Sequence, residues 1–343
     1  MFCILLPSVV SKSQVLPLSN PLPISILPCP VPGQYRVGAD ICGFFGETTP
    51  ELCKRWMQLG AFYPYSRNHN TLGSKPQGPG QLGDDVGNAS RDIMRVRYKL
   101  LPYLYFLFVK ANRHGSTVVR PLHHEFPTDQ TALSIDRQFL WGSCLLISPI
   151  LEQGQAELAY YLPKGKWFNY FTHVLEDSAN GAQKKVPVDA ESMPLLHLRG
   201  GCVIVEQEYA NNTHFSRQKP LTILAALDAD KKANGGFFWD DGVSKGTMCN
   251  GDFYEAKIVL ANNSLHLTVQ HKPLSDDVPW TKVKFDKLVI MGVEGTVKSV
   301  RLRESPKDQG EDLSFTKSEL VLQIELGGKG ITQYDRFEVL WSY

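Results

Sequence analysis

Between Thr49 and Gly60 the apolar positions Leu52, Trp56 and Leu59 recur at the spacing of one helix face. Thr49 suits the cap of that helix and Pro50 its first turn, where a missing N–H costs nothing. A longer stripe, Ile93, Val96, Leu100, Leu104, Leu107 and Ala111, predicts a helix over 88–114 that stops at Gly115. Pro102 falls inside it and should kink or split it, because proline lacks a donor and crowds the preceding turn. Residues 34–41 read as a short strand running into a loop. Residues 70–87, rich in Gly, Pro and polar side chains, read as a long loop. After Thr117 the texture changes to short β-rich runs between Gly, Pro and Asn turns. They begin at 117–120 and 144–150 and end at 320–325 and 337–341, which predicts one or two antiparallel sandwiches. Helices with a strand first and only strands afterwards indicate separate domains.

Charge narrows the partners more than the fold. The 343 residues carry a net charge of +1 with 21% charged side chains, which leaves no electrostatic footprint for nucleic acid or an anionic membrane. Apolar runs are interrupted by Pro7 and Pro102 and fall short of the ~20 residues of a transmembrane helix. The nine histidines and seven cysteines show no zinc-module spacing, so no metal is expected. The cysteines, Cys3, Cys29, Cys42, Cys53, Cys144, Cys202 and Cys249, are too scattered for a small disulfide scaffold. Cys42 and Cys53 are close enough to close a short loop, and two buried thiols are the alternative reading. Asn88, Asn211 and Asn262 head N-glycosylation sequons, compatible with a secretory route. Residues 1–34 are rich in Pro, Leu and Ser and lack the basic start and cleavage site of a signal peptide. They are expected to be foreign to the fold, a disordered leader or a gene-model artefact.

Candidate chemistry concentrates in about thirty residues. Val37-Gly38-Ala39-Asp40-Ile41-Cys42-Gly43-Phe44 is followed by 56–64 (WMQLGAFYP) and by Ser66-Arg67-Asn68-His69-Asn70. One carboxylate, one imidazole, one guanidinium and several aromatic rings suit a polar ligand with flat apolar faces, such as a sugar. Each has a plainer reading: Asp40 capping a turn, His69 satisfied in a structural role, Arg67 on a rim, Phe44 in a core. Asp84-Asp85 read as a solvated turn and Asp240-Asp241-Gly242 as a β-turn between strands, since the alternating ligands of a calcium loop are missing. His123 and His124 would point to opposite faces of an extended segment, which opposes shared metal ligation. Trp141, Trp167 and Trp239 read as core or domain-interface residues, with a sugar-binding platform as the lesser alternative.

These strings, with Arg120-Pro121-Leu122-His123-His124-Glu125-Phe126, Leu140-Trp141-Gly142, Leu196-His197-Leu198-Arg199-Gly200-Gly201 and Phe238-Trp239-Asp240-Asp241-Gly242, resemble glycoside hydrolase family 31, a family of α-glucosidases. The resemblance covers nearly everything after Tyr35. It implies a mixed fold: a C-terminal remnant of a (β/α)8 barrel over 35–121, then two antiparallel β-sandwich domains, proximal over 122–216 and distal over 217–343. It implies that Asp40 and His69 hold a glucosyl ring, that Phe44 lines the leaving-group side, and that Arg67 supports the carboxylate. It also implies that a Cys42–Cys53 disulfide braces the loop carrying Phe44. The implied substrates are maltose-like oligosaccharides or glucose, with no cofactor, in the secretory pathway.

The family takes its nucleophile from a Trp-x-Asp-Met-Asn-Glu type stretch and its acid/base from a Gly-Asp-Asn stretch. Neither string occurs here, and no Asp or Glu precedes Asp40. Retaining hydrolysis needs two carboxyl groups about 5–5.5 Å apart. The chain is therefore expected to be the C-terminal part of a retaining α-glucosidase, inactive alone. The alternative is a non-catalytic carbohydrate-binding or accessory protein.

Overall fold

A computed structural model describes residues 38–273, 279–282, 284–304, 308–330 and 336–343. The leader expected over 1–34 and the start of the strand expected at Gln34 lie outside the described residues. The chain divides into two compact units. The first is Met1–Arg97, Lys110–Lys164 and Asn180–Leu196; the second is Tyr98–Val109, Gly165–Ala179 and His197–Tyr343.

In the first unit β1 (Asp40–Ile41) pairs in parallel with β2 (Arg67–Asn68), and helix α1 (Pro50–Gly60) lies between them in the chain. Thr49 caps α1 as its sequence predicts, its hydroxyl accepting from Leu52 N at 3.2 Å. Leu52, Trp56 and Leu59 are buried, and so are the polar side chains on the other side of the helix. Lys54 reaches Asp85 and Glu191, each at 3.0 Å, and Arg55 donates to the carbonyls of Ser192 and Asp189. The polar face of this helix is thus covered by neighbouring chain. Helix α2 (Asp84–Lys99) begins four residues before the expected start, so Asp84-Asp85 form its acidic first turn rather than a loop turn. It breaks at Leu100, and the chain continues as α3 (Leu101–His114), which belongs to the second unit as far as Val109 and takes Pro102 into its first turn, the expected split.

The first unit also contains the antiparallel strands β3 (Val119–Pro121), β4 (Phe139–Trp141) and β5 (Leu145–Ser148). Separately, β6 (Glu157–Leu162) pairs with β9 (Ala182–Pro187). His123 and His124 occupy a single helical turn, Leu122–Glu125, instead of the extended segment expected of them. Trp141 is fully buried and donates from Nε1 to Phe62 O at 2.7 Å.

In the second unit β7 (Gly165–Asn169) pairs with β8 (Leu175–Ser178) and with β10 (Leu195–Arg199). A larger sheet has eleven strands: β11 (Cys202–Gln207), β12 (Leu221–Ala226), β13 (Ala233–Trp239), β14 (Tyr254–Ala261), β15 (Ser264–His271), β16 (Lys284–Met291), β17 (Ser299–Arg303), β18 (Glu311–Asp312), β19 (Phe315–Ser318), β20 (Val321–Gly330) and β21 (Arg336–Ser342). Their spatial order is β18-β17-β21-β15-β14-β13-β11-β12-β16-β20-β19. β10 and β11 are parted at Gly200-Gly201.

The sheet is mixed rather than purely antiparallel. The β11–β12 hairpin inserts between β13 and β16 and runs parallel to each. Alternation selects the core: in β14 Tyr254, Ala256, Ile258 and Leu260 are buried while Lys257 is exposed. One segment ties the two ends of the sheet together. β18 lies on β17 and β19 lies on β20. Between them Leu313 N donates to Val300 O at 2.9 Å, and Ser314 O accepts from Glu325 N at 3.0 Å. The sheet therefore curls round its own core, covering edges that would otherwise template association.

Trp167 and Trp239 are also fully buried. The Asp240-Asp241-Gly242 motif is not a tight β-turn; it opens the long connection from β13 to β14, which includes a short helix, Thr247–Asn250. The genuine hairpin turn is Asn262-Asn263, both at positive φ (+51° and +57°), joining β14 to β15.

Tyr170 and Glu206 make a titratable contact in this unit, the phenol donating to Glu206 Oε2 at 2.6 Å. Burial raises the Glu206 carboxyl above its ordinary 4.5, outweighing the opposing Tyr170 hydrogen bond and the Lys99 charge. A raised native pKa favours folding when the proton is bound. The contribution is complete below the unfolded value and is lost as pH rises through the folded one. Glu206→Gln is accordingly expected to melt higher than the parent at pH 7 and to show no gain at pH 4, read by thermal unfolding at both pH values.

Candidate functional site

Asp40 and Arg67 face one another because β1 and β2 pair in parallel in that register. Their approach is close: a Cβ on Gly38 would lie 1.8 Å from Tyr65 O, so only glycine fits there. Immediately after β1 the chain turns, with Gly43 N donating to Asp40 O at 2.9 Å. That turn holds Cys42 at φ +69° and Gly43 at φ +84°, a costly conformation for cysteine. Cys42 is fixed there by a disulfide to Cys53 on α1, with Cα atoms 4.7 Å apart.

The loop so braced presents Phe44, whose ring lies 5.2 Å from that of His69 and 4.7 Å, edge to face, from that of Phe45. Thr71 N donates to Phe44 O at 3.0 Å, and Glu47 accepts from Lys75 N at 3.3 Å, so the two loops are tied together. Gln77 is the hidden organiser. Its buried amide nitrogen is within 3.1 Å of Ile41 O and Gly43 O and 3.2 Å of His69 O. Asn68 adds a bond to Gln77 O at 3.1 Å. Gln77 does not stand out in the sequence, where it sits in a Gly/Pro-rich loop and carries no periodic or motif signal.

Arg67 donates from Nε to Asp40 Oδ1 at 3.1 Å, and its Nη2 reaches the same oxygen. This hydrogen bond is the largest influence on the guanidinium and raises its pKa. Among the described residues no bond ends on Asp40 Oδ2. Asp40 is largely covered, whereas Arg67 is about half exposed and its guanidinium lies 5.5 Å from the Tyr65 ring. Asp40, Arg67, Phe44 and His69 are thus gathered round one surface. It offers an open carboxylate oxygen, guanidinium and imidazole donors, and aromatic faces that suit sugar C–H groups. Asp40 is the sole carboxylate among these four residues. Among the described residues no group of three His, Cys, Asp or Glu is placed to hold a metal ion, and no helix is long and apolar enough to cross a membrane.

The sequons lie elsewhere. Asn88 is exposed on α2, where its amide oxygen accepts from Arg91 at 2.8 Å. Asn211 is exposed ahead of a short helix, Thr213–Ser216, and Asn262 is exposed in the β14–β15 turn.

Comparison with known proteins places these features in a family. The model of the glycosyl hydrolases family 31 TIM-barrel domain matches residues 23–107, and that of the family 31 C-terminal domain matches residues 115–204. The chain is 43% identical over 301 residues to intestinal sucrase-isomaltase of Oryctolagus cuniculus, across 85% of this chain and 16% of that protein. It is 44% identical over 310 residues to probable maltase-glucoamylase 2 of Homo sapiens, across 89% of this chain and 12% of that protein. With lysosomal alpha-glucosidase of Bos taurus it shares 36% identity over 326 residues, across 90% of this chain and 33% of that protein. The chain thus spans a third or less of these relatives. A crystal structure of the glucosidase II alpha subunit in its DNJ-bound form matches with a TM-score of 0.78 at 23% identity, over 89% of this chain and 34% of that one. The glucose complex of a Flavobacterium johnsoniae GH31 dextranase matches with a TM-score of 0.69 at 22% identity, over 89% of this chain and 39% of that one. At those identities the structures speak for the fold alone.

Proposed function

Since the chain belongs to glycosyl hydrolase family 31, we propose that it is the C-terminal part of a retaining α-glucosidase acting on terminal α-linked glucose of maltose-like oligosaccharides. In this reading residues 35–121 are the end of the catalytic barrel, 122–216 a proximal β-sandwich and 217–343 a distal one. The chain supplies one wall of the glucosyl subsite: Asp40 accepts two sugar hydroxyls, His69 donates to the same ring, Phe44 covers an apolar face and Arg67 keeps the carboxylate oriented. The observation that carries the reading is Asp40, paired through Oδ1 with Arg67 and with no bond on Oδ2 among the described residues, on the strand whose following loop packs Phe44 against His69. Cleavage needs a nucleophile and an acid/base facing each other across the anomeric carbon. The family strings that carry those groups do not occur in this sequence, so the chain alone binds the sugar and leaves it intact. The disulfide, the exposed sequons at Asn88, Asn211 and Asn262, and relatives named as intestinal and lysosomal proteins support a secretory route.

Titration of the purified chain with glucose and maltose tests the proposal. Saturable binding without turnover is expected, and Asp40→Ala should weaken it about 10- to 100-fold, the worth of a charge-assisted hydrogen bond. Maltose hydrolysis by the purified chain, abolished in Asp40→Ala, would overturn the inactivity. A folded chain that binds neither sugar would overturn the subsite.

A further inference from the structure

A cavity of about 550 Å³ opens within the second unit, walled on its apolar side by residues such as Tyr98, Leu101 and Phe108 and on its polar side by Thr213, His214 and Arg217. Val243, on the cavity wall, is 87% exposed, and Phe215 and Tyr209, which flank the lining residue Thr213 in the chain, are 53% and 41% exposed. Thr213 is also the third residue of the sequon Asn211-Asn212-Thr213. The local bonds fix the backbone around that sequon. Asn212 spends its side chain capping the short helix, accepting from Phe215 N at 3.0 Å, and Ala210 N donates to Ser216 Oγ at 2.8 Å. Residues 210–216 therefore form a closed loop on the cavity rim, with Asn211 exposed and an aromatic residue, Tyr209, two positions before it.

We propose that Asn211 carries an N-linked glycan whose first N-acetylglucosamine units lie on the Tyr209 and Phe215 rings and roof the mouth of this cavity. The inference rests on the secretory reading above. The bond formed joins Asn211 Nδ2 to C1 of the first sugar. The bond broken joins that C1 to the pyrophosphate of a lipid-linked oligosaccharide donor, which leaves as the lipid pyrophosphate while the amide gives up one proton. Sugar C–H faces pack on exposed aromatic rings, and the His214–Gln218 pair, with nitrogens 3.1 Å apart on the cavity wall, offers polar partners for the hydroxyl edge. The other sequons lack this setting: Val86, two before Asn88, and Leu260, two before Asn262, are both buried.

The test uses the full chain produced through the secretory route of a glycosylating eukaryotic host, with peptide mapping of all three sequons. Asn211 should be occupied, and peptide N-glycosidase should release its glycan about ten-fold more slowly from native than from denatured protein, equivalent to roughly 1.4 kcal/mol of protection. Tyr209→Ser with Phe215→Ser should remove the difference, and Tyr209→Phe alone should preserve it. Equal release rates from native and denatured protein would overturn the packing. An empty Asn211 beside an occupied Asn88 or Asn262 would overturn the inference and leave the secretory reading standing; three empty sequons would overturn both.

Discussion

Asp240→Ala is expected to destabilise the second unit by about 3–5 kcal/mol, the cost typical of breaking a buried charge cluster from one side. Asp240 is buried, and its two oxygens accept from Tyr105 OH at 3.0 and 3.2 Å, Thr247 Oγ1 at 2.8 Å and Gly242 N at 2.9 Å. The guanidinium of Arg217 lies 3.8 Å from the centre of the Trp239 ring and 3.7 Å from Asp240 Oδ1. Alanine would leave two hydroxyls, one N–H and one cation without their acceptor at once. Burial, with Asp240 next in weight, also raises the Tyr105 phenol, so that group remains a donor throughout the neutral range. Asp240→Asn keeps the shape and some of the acceptors and should cost less than half as much. Urea midpoints for the three proteins decide the matter: equal midpoints for Asp240→Ala and the parent would show that the cluster carries no stability.

Arg97→Met is expected to cost about 3–5 kcal/mol in the first unit and to weaken glucose binding as well. The Arg97 guanidinium donates to three carbonyls in succession, Ala61 at 2.5 Å, Tyr63 at 2.7 Å and Pro64 at 3.1 Å. Those carbonyls belong to the segment that leads directly into Tyr65 and Arg67, so the grip on 61–64 sets how Arg67 meets Asp40. A lysine reaches one or two of the three and should recover part of the stability. The check is a denaturation curve together with a glucose titration of Arg97→Met and Arg97→Lys. Loss of stability with unaltered binding would separate the anchor from the subsite.

The difference between these two clusters shows what a sequence discloses. Thr49-Pro50 announced α1, the stripe from Ile93 to Ala111 announced a helix interrupted at Pro102, and alternation announced most of the strands, because each signal is local. Arg97 reads as one more polar residue on a helix. Its role depends on carbonyls more than thirty residues away, and no periodicity encodes them. Lys54 and Arg55 mislead in the same way, since charged residues on one side of a helix resemble a solvated face until Glu191 and Ser192 arrive to cover them. At the candidate site Asp40, Phe44, Arg67 and His69 could be picked out by motif. Gln77 could not, because its work is done on backbone oxygens that any sequence possesses. The mixed sheet was hidden for a related reason: strand patterns reveal which face is buried and nothing about which neighbour runs parallel.

The eleven-stranded sheet assigns its third position from one end to β21, which pairs with β15 on one side and β17 on the other. Neither neighbour gains that partner until residues 336–342 have left the ribosome, on the order of seconds after β15 at ordinary elongation rates of about 5–20 residues per second. During that interval β15 is paired with β14 along one edge and exposes the backbone groups of its other edge in the nascent chain. Any change that removes β21 would open the sheet in its interior, so such an allele should behave as a folding defect.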